Sequence, residues 1–392
     1  MLRILVAGAG HIGQLIAELL AASGDYRVTV VDRDELVLAR LRGVAGVDTL
    51  CASVTDRQAM AGAMQGCFAV ISAAPYAVTG AVAEAAHAAG VHYLDLTEDV
   101  ATTRLVKTLA VDASHALIPQ CGLAPGFISI VGMELARRFD ALDTLRLRVG
   151  ALPQFPSNAL GYNLTWSTAG VINEYVQPCE AIVGGTRVMV PALEELEHFA
   201  LEGVQYEAFN TSGGLGTLCD TLAGKVRNLN YRTIRYPGHR DAMKLLLQDL
   251  RLAERPQLLA EVLENAIPET RQDVVVIFAT ATGRRAGRSW QETFAHRVHP
   301  MVLAGREWTA IQVTTASSAC AVLDLLAAGR LPARGFVRQE DIPLADFLAN
   351  RFGRAYARDA ARSGAAVGFV AGSEADAGST STAAATALRV AS

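Results

Sequence analysis

The sequence predicts an α/β protein, in which a doubly wound parallel sheet is joined to a second, α+β domain with a mixed or antiparallel sheet. Three observations carry that expectation. Short apolar runs alternate with helical patterns up to about residue 122. The first of those runs meets a G-x-G-x-x-G turn, Gly8-Ala9-Gly10-His11-Ile12-Gly13. After Gly126 the strict alternation stops.

The opening segment sets the first domain. Ile4 to Ala7 is apolar, three glycines follow, and Ile12, Leu15, Ile16, Leu19 and Leu20 fall on one helical face. Gly8 suits a tight turn, Gly10 a close backbone approach to pyrophosphate, and Gly13 close packing of helix on strand. The helix N-terminus offers free N–H groups and partial positive charge to a phosphate. A second apolar strand ends in Asp32, at the ~20-residue offset expected of a ribose-binding acid. A carboxylate there accepts from the 2′-hydroxyl of NAD and repels the 2′-phosphate of NADP, so NAD is expected over NADP. Arg33, next to it, could hold that phosphate or stack on adenine. The pattern is that of a Rossmann dinucleotide-binding domain.

The remaining elements of this domain follow in order. Strands are expected at 3–8, 27–32, 47–52, 68–74, 91–96 and 117–120. Helices are expected at 34–42, capped by Asp34, then 56–65 closed by Gly66, 78–89 ending at Gly90, and 100–116. Ligands on such sheets bind beyond the carboxyl ends of the strands. That singles out Ala73-Ala74-Pro75, the acidic stretch from Asp95 to Asp99, and Gly122 to Gly126.

Beyond Gly126 a helix is expected at 127–139 and a strand at 144–149. Two β-rich runs, 179–183 and 186–190, flank Gly184-Gly185 and read as a hairpin. Further strands are expected at 206–209, 231–236, 273–280, 290–299 and 307–314, with helices at 241–253 and 256–266. A helix at 317–328 is expected to return to the first domain. The domains are thus 1–122, completed by 316–355, and 123–315 for catalysis and dimerisation. Residues 364–392, rich in Ala, Ser, Gly and Thr, are expected to be a disordered tail.

Composition narrows the function. In 392 residues, 51% are hydrophobic and 19% charged, and the net charge is −4. There is no basic field for nucleic acid, and no long uncharged apolar run points to a membrane span. A strand starting at the second residue leaves no room for a signal peptide. The six cysteines are scattered and read as reduced thiols, as in a cytoplasmic protein. No His/Cys cluster has zinc spacing, so no metal is expected.

Four polar clusters compete for the chemistry. Asp95 and Glu98 lie at a strand's carboxyl end, where acids attract a cationic amine and can accept its proton. Thr97 and Asp99 are explained equally by helix capping. Tyr162, Asn163 and Trp166 lie in a polar loop that can orient a substrate, or simply precede a helix capped by Ser167. Thr211 and Ser212 precede Gly213-Gly214, either a backbone approach to ligand or an ordinary turn. Arg235 alternates with Ile234 on a strand, so its guanidinium can hold an α-carboxylate bidentately or bridge domains. His239, after Pro237-Gly238, is a candidate base or an uninvolved helix-start residue.

Together these stretches resemble the saccharopine dehydrogenase family, particularly its lysine 6-dehydrogenase branch. The resemblance rests on Gly8 to Gly13, Gly122-Leu123-Ala124-Pro125-Gly126, Tyr162-Asn163-Leu164-Thr165-Trp166-Ser167, Thr211 to Gly214, and Thr233 to His239. It covers about residues 1–355. It implies a Rossmann domain, a second catalytic and dimerising domain, a homodimer, and oxidoreduction at the C–N bond of an amino acid. It implies also that Arg235 holds the substrate carboxylate and that Gly122 to Gly126 line the nicotinamide side. Asp95-Leu96-Thr97-Glu98 stands where saccharopine reductases have a more hydroxyl-rich segment, and extra acid suits a free amine. The expected activity is oxidative deamination of the L-lysine ε-amine, with Asp95, Glu98 or His239 as base. The alternatives are a saccharopine- or carboxynorspermidine-type secondary-amine dehydrogenase and an NAD-binding sensor without catalysis.

Overall fold

A computed structural model describes residues 1–357. The expected tail, 364–392, lies outside the described residues. The first domain runs β1 (Leu2–Ala7), α1 (His11–Ala22), β2 (Tyr26–Asp32), α2 (Glu35–Leu38), β3 (Val47–Cys51), α3 (Arg57–Met64), β4 (Ala69–Ser72), α4 (Tyr76–Ala89), β5 (His92–Asp95), α5 (Val100–Leu109) and β6 (Ala116–Ile118). The second runs α6 (Phe127–Ala136), β7 (Ala141–Pro153), α7 (Thr168–Val176), β8 (Cys179–Val183), β9 (Thr186–Val190), β10 (Glu197–Leu201), β11 (Val204–Asn210), α8 (Leu218–Thr221), β12 (Val226–Arg235), α9 (His239–Lys244), α10 (Pro256–Ala266), β13 (Asp273–Arg285), β14 (Arg288–Val298), β15 (Met301–Leu303) and β16 (Arg306–Trp308). The chain then returns through α11 (Ala310–Ala327), β17 (Gly335–Phe336) and α12 (Leu344–Ala349).

The first sheet is parallel, in the order β17-β6-β5-β4-β1-β2-β3. In its middle strands Ile4 to Ala7 of β1 and all of β4 are buried, as a sheet covered on both faces requires. The second sheet carries β10-β11-β12-β7-β13-β14, with β8 pairing β12 and β9. It is mixed: β12 runs parallel to β7, and the other neighbours are antiparallel.

One apolar core joins the two domains. Leu15, Ile16 and Leu20 of α1 share it with Phe127 and Ile128 of α6, Leu145 and Leu147 of β7, and much of α11. Phe127 stacks on Tyr356 at 4.0 Å between ring centroids. The turn that starts this junction is tight. Gly126 has φ +131, and a Cβ there would sit 2.1 Å from the Gly122 carbonyl oxygen.

Four sequence expectations change. The 307–314 strand is only Arg306–Trp308; Thr309 then caps α11 in a capping box with Gln312. Asp273 accepts the Ala310 and Ile311 N–H groups at 2.6 and 2.9 Å, so a tertiary carboxylate overrides the β-preference of Val313, Thr314 and Thr315. The 241–253 helix is α9 followed by a π-turn over Leu245–Asp249. The 100–116 helix stops at Leu109. Helix α11 is long and apolar enough to cross a membrane, against the expectation of no such run, but 72% of it is buried inside the structure.

Replacing Gly126 by Ala is expected to lower stability by at least ~1–3 kcal/mol, through backbone strain and the Gly122 clash. Denaturant unfolding of the variant against the parent checks this.

Candidate active site

A cleft of about 1370 Å³ opens between the carboxyl edge of the first sheet and the second domain. Its cofactor end is built by the first turn. Gly8, with φ +105, is required because a Cβ would lie 2.7 Å from the Ala73 carbonyl oxygen. At Gly13 a Cβ would lie 1.9 Å from the Gly8 oxygen, so helix and strand close together only on glycine. At Gly10 a Cβ would meet nothing within 4 Å, so the backbone there faces open space. Helix α1 starts at that point, and its first-turn amides have no side-chain cap. An open backbone at the N-terminus of a 12-residue helix fits a pyrophosphate.

Asp32 lies on the cleft wall, its two oxygens accepting the Ala9 and Asp34 N–H groups at 2.7 and 2.9 Å. His11, Ile12, Ala73, Ala74, Pro75 and Gly122 line the same cleft. Ala9 and Gly13 do not: Ala9 is fully buried, and Gly13 packs on Gly8. Arg33 is exposed and off the wall, and Arg40, seven residues further on, lines it instead.

The far wall comes from β12, α7 and the loop before α7. On β12, alternate residues Tyr231, Thr233 and Arg235 face the cleft, and Ile234 packs into the apolar layer on the other side. Arg235 is 3% exposed. Its Nε donates to the Tyr175 hydroxyl at 2.9 Å and its Nη1 to the Ile234 carbonyl at 2.9 Å. Its guanidinium lies over the Tyr162 ring, 5.0 Å from the centroid. Among the described residues no carboxylate lies within ion-pair distance of it, and the Glu174 carboxyl on the same cleft wall acts on it through space.

His239 holds that arrangement from behind and is not on the cleft wall. Its Nδ1 lies 2.9 Å from the Leu160 carbonyl, which only accepts, so Nδ1 carries the proton. Nε2 therefore accepts from the Tyr175 hydroxyl at 3.0 Å, whose oxygen in turn accepts from Arg235. Burial and the neighbouring Arg235 charge push the His239 pKa down to about 3. The expected base is thus a neutral support.

Asp95 is corrected in the same sense. It is fully buried beneath the cleft floor and accepts from the Tyr93 hydroxyl (2.8 Å), the Thr97 N–H (3.1 Å) and the Gln120 N–H (2.8 Å). Burial raises its pKa to about 6 against those bonds. Its oxygens tie the ends of β5 and β6, which aims Leu96, Thr97 and Glu98 at the cleft. Asp99 caps α5 through the Thr102 N–H at 2.7 Å.

Glu98 does line the cleft, as do Trp166 and Ser167. Burial raises the Glu98 pKa, its own backbone N–H opposes that, and Asp99 adds to it. Tyr162 and Asn163 lie behind the wall, one under Arg235 and the other donating to the Pro268 carbonyl at 3.1 Å. Thr211 shares a hydrogen bond of 2.7 Å with Thr233, and the Ser212 N–H donates to the Glu174 carbonyl at 3.1 Å. The Gly213-Gly214 pair serves packing: a Cβ on Gly213 would lie 2.8 Å from the Glu98 Cβ, and one on Gly214 2.3 Å from the Tyr231 ring.

Glu174 is the residue that sequence reasoning missed. It is 7% exposed, lines the cleft from α7, and is pushed up to about 8 by burial and then by Glu98, with Arg235 opposing. The available signal was its place beside Val171 and Tyr175 on the buried stripe of a helix. A carboxyl on an apolar stripe is costly unless it has a task.

A glycine turn at a helix start, a carboxylate at the ribose position and a cleft closed by a second domain define a dinucleotide-binding protein of the oxidoreductase type. Two family models match, the saccharopine dehydrogenase NADP binding domain over residues 4–118 and the saccharopine dehydrogenase C-terminal domain over 122–353. The chain belongs to the saccharopine dehydrogenase family. It is 26% identical over 175 residues to saccharopine dehydrogenase [NADP(+), L-glutamate-forming] of Saccharomyces cerevisiae, a match spanning 43% of this chain and 39% of that protein. It is 23% identical over 195 residues to the mitochondrial alpha-aminoadipic semialdehyde synthase of Mus musculus, 48% of this chain and 21% of that one. The solved apo saccharopine dehydrogenase (L-Glu forming) from S. cerevisiae has the same fold, with a TM-score of 0.70 at 17% identity over 89% of this chain and 97% of that one.

Glu174 makes stability depend on pH. Its pKa is raised on folding from 4.5 to about 8, so the folded chain holds that proton more tightly. Its contribution is fully present below about pH 4.5 and is lost as pH rises through 8. Glu174→Gln is expected to abolish this component, so the parent should lose stability relative to the variant as pH rises from 5 to 9 in parallel melts.

Proposed function

We propose that the protein oxidises the ε-amine of L-lysine to the 6-semialdehyde, releasing ammonia, with NAD as cofactor. The observation that carries this reading is one buried guanidinium, Arg235, with no carboxylate at ion-pair distance among the described residues, in the same cleft as two carboxyls of raised pKa, Glu98 and Glu174. A zwitterionic amino acid with a second, terminal amine complements that set. Arg235 takes the α-carboxylate through its planar fork. The Glu98 carboxylate takes the ammonium, whose charge offsets its burial.

When bound, the nicotinamide accepts hydride from the carbon that carries the amine. Glu98 takes the proton that the ammonium must first lose. Glu174, held at about 8, is largely protonated near neutral pH and gives a proton to the departing ammonia. Two carboxyls whose surroundings set them to different tasks supply both base and acid. Tyr175 and His239 fix the guanidinium, and Asp95 fixes the strand end that carries Glu98.

NAD is favoured here by Asp32, whose charge opposes a 2′-phosphate. The family model and the yeast relative are described with NADP, and Arg40 is the cation on the wall that a 2′-phosphate would meet. A second reading is a saccharopine-type secondary-amine dehydrogenase. It is favoured by those relatives, and by Arg271 on the cleft wall, which suits a further carboxylate.

An absorbance screen for reduced cofactor with lysine, ornithine, saccharopine and diamines separates the readings. Lysine with NAD is expected to respond; turnover of saccharopine alone overturns the proposal in favour of the second reading. Arg235→Ala is expected to raise KM for lysine roughly 10- to 150-fold, from the loss of a charged hydrogen-bonding partner worth ~1.5–3 kcal/mol. Arg235→Lys should recover little of it, and an unchanged KM would remove Arg235 from the carboxylate site.

A further inference from the structure

A second, smaller cavity of about 60 Å³ lies behind Glu98. Its wall mixes apolar surface with polar side chains, Thr103, Lys107, Gln120, Arg187 and Thr217 among them. One buried water needs about 10–15 Å³ and two to four polar partners, so the space takes a few waters. Glu98 and Tyr231 stand on the walls of both this cavity and the main cleft. Loop 211–217 presses against that partition: Gly213 abuts Glu98, Gly214 abuts Tyr231, and Gly216 would place a Cβ 2.8 Å from Gln120 Oε1. At the outer side Lys107 and Arg187 both pair with Asp220, and Arg187 also with Glu180. These side chains are 38–45% exposed at Lys107, Asp220 and Arg187, which brings the cavity to the surface.

We propose that this cavity is a rear water conduit through which Glu98 returns its proton to solvent while the main cleft is filled. The proposal rests on the amine-oxidation reading above. Per turnover, the alkylammonium, water and oxidised cofactor give aldehyde, ammonium ion, reduced cofactor and one free proton. The substrate N–H bond breaks heterolytically, the proton moves to a Glu98 carboxylate oxygen, and that O–H then gives it to water in the cavity. No other reactant is needed. With cofactor and substrate filling the main cleft, the second cavity that Glu98 also lines offers a separate way out.

Val100 is 41% exposed and lines this cavity only, so it can be changed without touching the main cleft. Val100→Phe narrows the cavity and Val100→Ala leaves it open. Stopped flow with lysine and NAD, in weak buffer with a pH indicator, reads proton release beside cofactor reduction. The expected result for Val100→Phe is a several-fold lower kcat, delayed proton release and a larger solvent deuterium isotope effect, with KM for lysine unchanged. Val100→Ala should match the parent. A parental kcat and isotope effect in Val100→Phe overturn the conduit. Should the parent not oxidise lysine at all, the functional reading fails by itself. The conduit is then read from hydrogen–deuterium exchange of the Glu98 carboxyl with NADH bound, by infrared difference against Glu98→Gln. Slower exchange in Val100→Phe than in the parent supports it, and equal rates overturn it.

Discussion

A guanidinium sunk into a protein wall, with no carboxylate at ion-pair distance among the described residues, is the constraint around which the second domain is arranged. Removing a cation from water is costly unless neutral dipoles and a future partner replace the solvent. Here the replacements are a backbone carbonyl, a tyrosine hydroxyl and the face of a tyrosine ring. The hydroxyl can accept from Arg235 because its own proton goes to His239, and His239 can accept because its other nitrogen donates to Leu160. Each hydrogen bond has one direction, set by a carbonyl that cannot donate. The placement of α7, β12 and the segment around Leu160 follows from completing that sequence.

The same logic extends across the cleft. Asp95 is buried on hydrogen bonds alone, and its work is to shape the loop that ends in Glu98. The two domains are also tied to each other by buried carboxylates. Asp273, at the start of β13, caps the helix that returns to the first domain. Glu340, fully buried beyond β17, accepts from Thr217 and Thr221 of the second domain. With a continuous apolar core beneath them, these polar ties fix the cleft walls relative to each other.

What the sequence disclosed was whatever depends on near neighbours. The strand–glycine–helix start, the Gly184-Gly185 hairpin and the Asp34 and Asp56 caps are set by local backbone chemistry, and they stand as read. The start of α11 was misread although Thr309 and Gln312 form a local capping box, because the β-branched run Val313-Thr314-Thr315 reads as strand; Asp273, 37 residues away, reinforces the cap. Glu98, Arg235, Trp166 and Asp32 were correctly placed at the cleft. His239, Tyr162 and Asn163 were placed one layer too close to it, since residue type cannot tell a ligand from the partner of a ligand. Asp95 misled for a related reason: a strand end is also where two strands are tied. Glu174 escaped because it sits inside an apolar helical stretch, where the eye reads core.

Strand β12 behaves as a ruler. Positions 231, 233 and 235 address the cleft, and the residues between them address the opposite layer. A single inserted or deleted residue would invert that assignment, turning an isoleucine toward the ligand and the arginine into hydrocarbon. Variation among related chains can therefore proceed by exchange of side chains at fixed positions here, while length polymorphism is confined to the turns at either end. Selectivity can drift on this strand; spacing cannot.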